Sequence, residues 1–458
     1  MSLNFFHKSN TTDMTDGSIV PRLISFAIPL FLGNIFQQFY NTVDCFIIGK
    51  YLGSESLAAI GSTSQLVFII IGFFNGFATG TQVVISQLFG AKNLSALKKA
   101  ISTAIFSSFI LGIFMTFLGL FISPLLLKLI QVPENVSILA QTYLTIYFAG
   151  ILFLILYNLG SGILRALGDS KTPLYFLILS SLINIILDLV FVLVLKLGVA
   201  GAAWATIISE FISIIPVYSA ILSIKEFGRF SFRNVKFDTK LFGLMMKIGL
   251  PGAVSSSINS FSNTFMQKYV NAFGTSCIAG WSIFARYDQF MIMPMISISL
   301  ATTTFVSQNF GAKKIERINK GVKSSFFLMI SIIFILSILI FVFSETLSAI
   351  FVSDKDSVLY ASLFIRYTAP FYVLCATCML FSQALRGFGD SFIPTIITFC
   401  GFVLLRQFIL FIGTKYSESF GVVAIAYPIV WVITSMVMFV YYETKISTMC
   451  KKNFVAVK

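Results

Sequence analysis

SQLFGAKN, residues 86–93, returns as SQNFGAKK at residues 307–314, an offset of 221. LRALGDSKTP (164–173) returns at the same offset as LRGFGDSFIP (385–394). Two shorter pairs, FYNT with FSNT and GVAGAA with GVVAIA, recur at offsets of 222 and 223. Four matches at nearly one offset indicate a tandem repeat. The Gly-Asp pairs in the second motif predict tight turns in which the Asp caps the following helix.

The composition is that of a membrane protein. The chain of 458 residues is 57% hydrophobic and 11% charged, with a mean hydropathy of +0.92, far from the values of soluble domains. Apolar stretches of about 20 residues, enough to cross a bilayer as a helix, recur throughout. If each stretch is drawn as a helix, apolar residues cover almost its whole circumference, which favours membrane-spanning helices over a β-barrel. The predicted spans are 22–48, 57–88, 100–130, 136–163, 174–196, 200–222, 249–272, 278–306, 324–351, 358–385, 392–414 and 421–442.

Each repeat holds six predicted spans, so the second copy begins on the same side of the membrane as the first. The two copies are then parallel, related by an axis along the membrane normal. We expect an all-α polytopic membrane protein with twelve transmembrane helices in two parallel six-helix repeats, forming two lobes around a central cleft. The expected domains are an amino-terminal lobe (1–224), a basic cytoplasmic linker (225–247), and a carboxy-terminal lobe with a cytoplasmic tail (248–458).

The net charge of +14 is concentrated after the second, fourth, sixth and eighth spans and in the tail. This positive-inside bias predicts a multi-pass protein of the cell membrane with both termini in the cytoplasm. The same placement argues against a nucleic-acid-binding face. The first twenty residues are polar, so we expect no cleavable signal peptide.

The motifs of enzymes and pumps are missing from the sequence. There is no Walker-type phosphate loop, and His7 is the only histidine. Cys375 and Cys378 form a C-x-x-C pair inside an apolar helix without a second pair, so we interpret them as small membrane residues. We expect no catalytic group, no cofactor and no structural metal. Two six-span bundles without an energy-coupling domain predict a secondary transporter driven by an ion gradient.

Two carboxylates lie inside predicted spans of the first repeat, and the second repeat lacks both. Asp44 corresponds to Met266, and Asp188 corresponds to the region 409–411. A charged group at bilayer depth costs at least ~3 kcal/mol on insertion scales. This departure from symmetry predicts that Asp44 and Asp188 carry function.

Polar neighbours surround Asp188 in the sequence. Asn184 lies four residues earlier, on the same helix face, and Thr206 lies in the next span. The set could bind H⁺ or complete an oxygen shell for Na⁺. The alternative is a structural network in which these residues satisfy one another's hydrogen bonds.

The roles of the other charged residues inside the predicted spans stay open. Arg286 and Arg406 could pair with Asp288, line water or extend to the membrane surface. Glu210, in the sixth span, is a further candidate acid.

The motifs resemble those of the multidrug and toxic compound extrusion (MATE) transporters over residues 15–445. The resemblance rests on the parallel repeat, Q-x-x-G-A-K after the second span, L-R-x-x-G-D-[ST]-x-x-P, and N-x-x-x-D ahead of G-x-x-G-A-A-x-A-T. It fits best the branch with MepA-like and DinF-like exporters. Spans 249–272 and 358–385 contain no acid, so the carboxy-lobe sodium site of another branch looks absent.

The resemblance implies roles for seven residues. Asp44, Asn184, Asp188 and Thr206 would form the amino-lobe site for H⁺ or Na⁺. Tyr40 and Asn158 would line the same cavity, and Pro29 would mark a bend in the first helix.

The implied activity is export of organic, cationic and amphipathic compounds in exchange for H⁺ or Na⁺. The transporter would be a monomer in contact with membrane lipid. The alternative is a flippase for lipid-linked oligosaccharides or polysaccharides of the same superfamily. A flippase for anionic headgroups would need several cations along the cleft, and only Arg286 and Arg406 are obvious candidates. The loop signature of the major facilitator class is missing after the second span.

Overall fold

The part of the chain that the computed structural model describes, residues 12–129, 132–224, 237–416 and 420–455, folds into helices and contains no strand. The predicted all-α class is therefore confirmed. The helices of the first repeat are α1 (Ile19–Tyr51), α2 (Ser54–Gly90), α3 (Leu94–Leu129), α4 (Glu134–Ala166), α5 (Lys171–Asp188) and α6 (Val199–Leu222).

The second repeat is cut into more pieces than the sequence predicts. The helices are α7 (Thr239–Asn271), α8 (Thr275–Gly311), α9 (Ile315–Val342), α10 (Ser344–Ala349), α11 (Lys355–Thr368), α12 (Tyr372–Gly387), α13 (Phe392–Phe399), α14 (Arg406–Tyr416) and α15 (Gly421–Val455). A 3₁₀ turn at Ala369–Phe371 joins α11 to α12. π-helical turns follow α5 at Leu189–Val194 and α13 at Cys400–Leu405. Each predicted span thus has a helical counterpart.

Ten helical stretches in the described ranges are long and apolar enough to cross a membrane. They include the joined stretches Lys171–Val194, Lys355–Gly387 and Phe392–Tyr416. Length and composition therefore support a multi-pass membrane protein.

The repeated L-R-x-x-G-D motif ends a helix in both repeats. Gly168 and Gly389 have φ angles of +87° and +89°, a backbone conformation that glycine adopts without steric cost. The N–H of Asp169 donates to the carbonyl of Leu164 at 2.9 Å, which closes the turn. The side chain of Asp169 then accepts hydrogen bonds from the first turn of α5, as predicted.

The matching residue of the second repeat, Asp390, has a different role. Its Oδ2 accepts hydrogen bonds from Tyr441 Oη at 2.7 Å and from Lys445 Nζ at 2.6 Å, both on α15. Thr172, which donates its hydroxyl to Asp169, is replaced by Ile393 in the second repeat. The capping prediction thus holds for Asp169, whereas Asp390 binds α15.

α4 packs against α2, α3 and α6 in the first repeat, and small residues permit the close approach. A Cβ on Gly119 of α3 would overlap the ring of Phe148, and one on Gly150 would overlap Ile207 of α6. The fully buried Leu144 and Phe148 place this face of α4 in the core. α4 therefore lies in the interior of the first repeat, in contact with three of its helices.

The chain divides into two compact units whose borders cut through α1 and α7. Unit 1 comprises residues 1–13 and 28–253, and unit 2 comprises residues 14–27 and 254–458. The start of α1 therefore belongs to unit 2, and the start of α7 belongs to unit 1. The lobe and linker boundaries drawn from the sequence stay a prediction, and linker residues 225–236 lie outside the described part of the chain.

Residues Met14–Asp16, which we call the amino-terminal strap, are held by unit 2. Met14 is fully buried, its N–H donates to Gln308 Oε1 at 2.9 Å, and its carbonyl accepts from Asn309 Nδ2 at 3.1 Å. Lys314 and Arg317 bind the other backbone carbonyls of the strap, and Lys314 Nζ also forms an ion pair with Asp16 at 2.7 Å. In the first repeat the counterparts of these four residues are Gln87, Leu88, Asn93 and Ala96, so only the glutamine is retained.

Candidate ion and substrate site

Asp188 lies in the interior of unit 1, at the last residue of α5. Its side chain is fully buried, and that of Asn184, one turn earlier, is 3% exposed. The π-helical turn Leu189–Val194 begins at the next residue. π-helical turns occur frequently at functional sites, because the wider turn changes the direction of neighbouring side chains.

The carboxyl groups of Asp44, on α1, and Asp188 lie within hydrogen-bonding reach of each other. In the described residues neither oxygen of Asp188 and neither polar atom of the Asn184 amide has a hydrogen-bond donor or acceptor partner, and the same is true of Asp44 Oδ1. Two ionised carboxylates bring no donor hydrogen to such a contact. A proton or another cation between the oxygens would stabilise such a pair.

The remaining predicted ligand, Thr206, faces its own helix. Its Oγ1 donates to the carbonyl of Ala202 at 3.1 Å. A hydroxyl that donates in this way keeps its lone pairs for a cation. Carboxylate, amide and hydroxyl oxygens are hard donors, so this set fits H⁺ or Na⁺ better than a soft metal ion.

Two further polar side chains, Tyr40 on α1 and Glu210 on α6, lie within range of electrostatic interaction with each other. Tyr40 precedes Asp44 by one turn of α1 and lies within range of electrostatic interaction with both Asp44 and Glu210. Glu210 is one turn after Thr206 on α6, and its Oε2 is buried without a partner in the described residues. The candidate acid Glu210 therefore lies near Tyr40.

Sequence reasoning missed the tyrosines of α4. Tyr143 lies within electrostatic range of both Asp44 and Asp188, and its ring stacks on that of Tyr147 at 6.0 Å between centroids. The spacing of four residues between them was the available signal.

The two other residues implied by the resemblance are Asn158 and Pro29. Asn158 Nδ2 donates to the carbonyl of Leu154 in its own helix at 2.9 Å. Pro29 is buried, and α1 runs through it without interruption. The border between the two units falls two residues before it, between Ala27 and Ile28.

Unit 2 holds a different charged cluster. Tyr372 Oη donates to Asp288 Oδ1 at 2.7 Å, and Arg406 lies within electrostatic range of the same carboxylate. Arg286 instead is exposed and lies over the ring of Phe351 at 5.8 Å. The buried Arg406, and not Arg286, is therefore the arginine that interacts electrostatically with Asp288.

Cys375 and Cys378 are buried free thiols on α12. This environment agrees with their interpretation as small membrane residues.

Comparison with known proteins agrees with the two repeats. The MatE family profile matches residues 29–190 and again residues 251–412. The chain is 29% identical over 427 residues to the probable multidrug resistance protein YoeA of Bacillus subtilis, covering 91% of this chain and 92% of that protein. It is 24% identical over 370 residues to the multidrug export protein MepA of Staphylococcus aureus, covering 81% of this chain and 82% of that protein.

A solved structure shares the fold. The crystal structure of MATE in complex with MaL6 aligns with a TM-score of 0.89 and 23% identity, over 97% of this chain and 100% of that chain. The prediction of two six-helix repeats is confirmed by this likeness and by the double match of the profile. The chain belongs to the MatE family, the multidrug and toxic compound extrusion transporters that its repeated loop motifs resemble.

Proposed function

We propose that this protein is a secondary active transporter that exports organic cations in exchange for H⁺ or Na⁺ bound between Asp44 and Asp188. The carrying observation is the pair of carboxylates, the buried Asp188 and the half-buried Asp44, which has no counterpart in the second repeat. In the described residues both oxygens of Asp188 and Oδ1 of Asp44 have no other hydrogen-bond partner. The names of the relatives, a multidrug resistance protein and a multidrug export protein, support the drug-efflux class.

In this proposal the pair alternates between two charge states. Without a cation the two carboxylates repel each other at short range in a medium of low dielectric constant, which favours an arrangement that separates them or recruits a cationic substrate. Binding of H⁺ or Na⁺ removes the repulsion and the attraction for the substrate together. Substrate and coupling ion thereby exclude each other, as exchange requires.

The other residues have supporting roles in the proposal. Asn184 and Thr206 supply neutral oxygens that complete the shell of the coupling ion. Tyr40 and Asn158 line the path of the substrate, where the ring face of Tyr40 offers a cation–π contact. Pro29 lacks one backbone hydrogen bond, so α1 bends there at low cost.

The charge balance limits the energy source. One H⁺ entering for one monovalent cation leaving moves no net charge, so only the pH gradient drives it, with roughly 1.4 kcal/mol per pH unit. Use of the membrane potential needs an extra inward charge, which contributes ~2.3 kcal/mol per 100 mV.

The experiment is efflux of ethidium from proteoliposomes under an imposed pH gradient, with and without Na⁺. Asp188→Asn keeps the shape of the side chain but does not exchange a proton in the ordinary range, so we expect transport to fall to the level of empty liposomes. Asp169→Asn is the matched control, since an amide oxygen still caps α5. Transport by Asp188→Asn at the wild-type rate would exclude Asp188 as the coupling residue.

We also propose that the protein is a monomer with both termini and the basic linker on the cytoplasmic side. The placement of Lys and Arg supports this orientation. The orientation is tested by fusing a reporter that is active only outside the cytoplasm to residue 1 or to residue 458. Activity of either fusion would contradict the orientation.

A further inference from the structure

The cluster around Arg406 in unit 2 contains a buried cation that the proposed exchange mechanism does not use. Arg406 is 5% exposed, and its Cζ lies 4.5 Å from the centroid of the Tyr427 ring and 5.8 Å from that of Phe402. Asp288 is the acid within electrostatic range of it, and Tyr372 donates to that acid at 2.7 Å. The cluster draws on α8, α12, α14 and α15, so it joins four helices of the unit.

The residues around the guanidinium are those that bind cations in proteins. An aromatic ring face and a carboxylate together attract a cation, and the attraction strengthens when water is excluded. Tyr372 is 1% exposed and Tyr427 is 6% exposed, so the aromatic side of the cluster is shielded from solvent. A phenol donating to the carboxylate holds Asp288 in one orientation. Together Asp288, Tyr372 and Tyr427 have the chemistry of a site for a monovalent cation.

The two repeats place opposite charges beside their π-helical turns. In the first repeat the turn begins directly after Asp188, and in the second the turn ends directly before Arg406. Arg406 also lies near the position that corresponds to Asn184. At this span the first repeat therefore has a carboxylate, Asp188, and no internal cation, whereas the second has an internal cation, Arg406, and no carboxylate.

We propose that Arg406 is a tethered cation that permanently occupies a cation site formed by Asp288, Tyr372 and Tyr427. The site would accept a free monovalent cation once the guanidinium is removed, and guanidinium itself is the best match in shape. In the native protein the site stays filled, so unit 2 keeps a constant charge while unit 1 exchanges its ion. The binding claim does not depend on the proposed transport activity.

Tryptophan fluorescence of the purified full-length chain reports on this site. The ring of Trp431 lies 5.0 Å from that of Tyr372 and 5.6 Å from that of Tyr427, and the ring of Trp281 lies 6.0 Å from that of Tyr427. The third tryptophan of the chain, Trp204, is on α6, and Trp204→Phe removes its background. The probes are guanidinium chloride and sodium chloride at low millimolar concentration, and the protein that retains Arg406, measured in the same salts, is the control for ionic strength.

We expect Arg406→Ala to show a saturable fluorescence change with guanidinium and a weaker one with Na⁺. The wild type and Arg406→Lys should show none, because their own cation fills the site. Arg406→Ala with Asp288→Asn should bind at least about tenfold more weakly than Arg406→Ala alone. No saturable change in Arg406→Ala, or an equal change in the double variant, would overturn the proposal.

A stability cycle covers the case in which Arg406→Ala does not fold. Asp288→Asn leaves the buried Arg406, and Arg406→Met leaves the half-buried Asp288, without its partner, while the double variant leaves neither charge. We therefore expect each single variant to unfold at a lower temperature than the double variant. Additive losses, with the double variant the least stable, would show that Arg406 does not neutralise Asp288.

Discussion

Replacing Asp188 by an apolar residue should stabilise unit 1 and abolish exchange. Asp188 is fully buried, and apart from its contact with Asp44 neither of its oxygens has a partner in the described residues. An unsatisfied buried polar group costs about 1–3 kcal/mol, and a charged one costs more. Leucine removes that cost, so we expect Asp188→Leu to stabilise the folded protein by about 2 kcal/mol.

The expected shift is large enough for a thermal assay in detergent. A domain of this size gains about 2–4 °C in melting temperature per kcal/mol, so Asp188→Leu should unfold about 6 °C above the wild type at a fixed scan rate. Ethidium efflux driven by a pH gradient should fall to background in the same variant. A gain in stability with a loss of activity is typical of residues retained for function.

A second buried aspartate gives the matched comparison. Asp169 is 6% exposed, but it accepts three hydrogen bonds, from Lys171 N, Thr172 N and Thr172 Oγ1. Asp169→Ala should therefore lower the melting temperature, by about 3–6 °C for a capping loss of about 1–2 kcal/mol. The reasoning would be refuted if Asp188→Leu and the smaller Asp188→Val both melted below the wild type.

Three further predictions concern other parts of the chain. Gly119→Ala should lower the free energy of unfolding by about 1–3 kcal/mol, and with it the melting temperature, through overlap with Phe148. Gly61→Ala, with open space around it, should leave the melting temperature unchanged or raise it slightly. Ser357 donates from its backbone N–H and its hydroxyl to Asp354 and holds the pKa of that carboxyl below its ordinary value. The stability that this carboxylate contributes is present above its pKa in the unfolded chain and is lost as the pH falls through its pKa in the folded protein. Between about pH 5 and about pH 3, Asp354→Asn should therefore lose less stability than the wild type. Equal losses of melting temperature in a thermal titration would contradict this. In a background without native cysteines, Met14→Cys should react slowly with maleimide, because residue 14 is buried. The reaction should be faster when Arg317→Met removes the hydrogen bonds of Arg317 to the strap, while the control Lys323→Met should not change the rate. Equal rates in all three proteins would contradict the role of Arg317.

Much of the fold could be predicted because the determining signals are local. Apolar stretches give the spans, and the positive φ angles of Gly168 and Gly389 explain why the repeated loop motif contains glycine at that position. The acids of the candidate site could be found because a carboxylate in an apolar span is costly, so its presence is a signal in itself.

The remaining features depend on contacts that no local pattern contains. Nothing near Asp188 or Arg406 in the sequence indicates the π-helical turns beside them. The contribution of Tyr143 depends on how α4 faces α1 and α5, and the different partners of Asp169 and Asp390 depend on whether α15 supplies Lys445. The assignment of residues 14–27 to unit 2 likewise results from tertiary packing.

The amino-terminal strap has a consequence for the order in which the protein can be completed. Met14 is synthesised before its partners Gln308 and Arg317, which follow 294 and 303 residues later in the chain. At about 5–20 residues per second, the strap waits about 15–60 s for the residues that bind it. A gene fragment encoding only the second repeat would make a unit without its own strap, and one encoding only residues 1–224 would lack the start of α7 that belongs to unit 1. The repeat is therefore a unit of sequence duplication, while the smallest unit that can assemble completely is the whole chain.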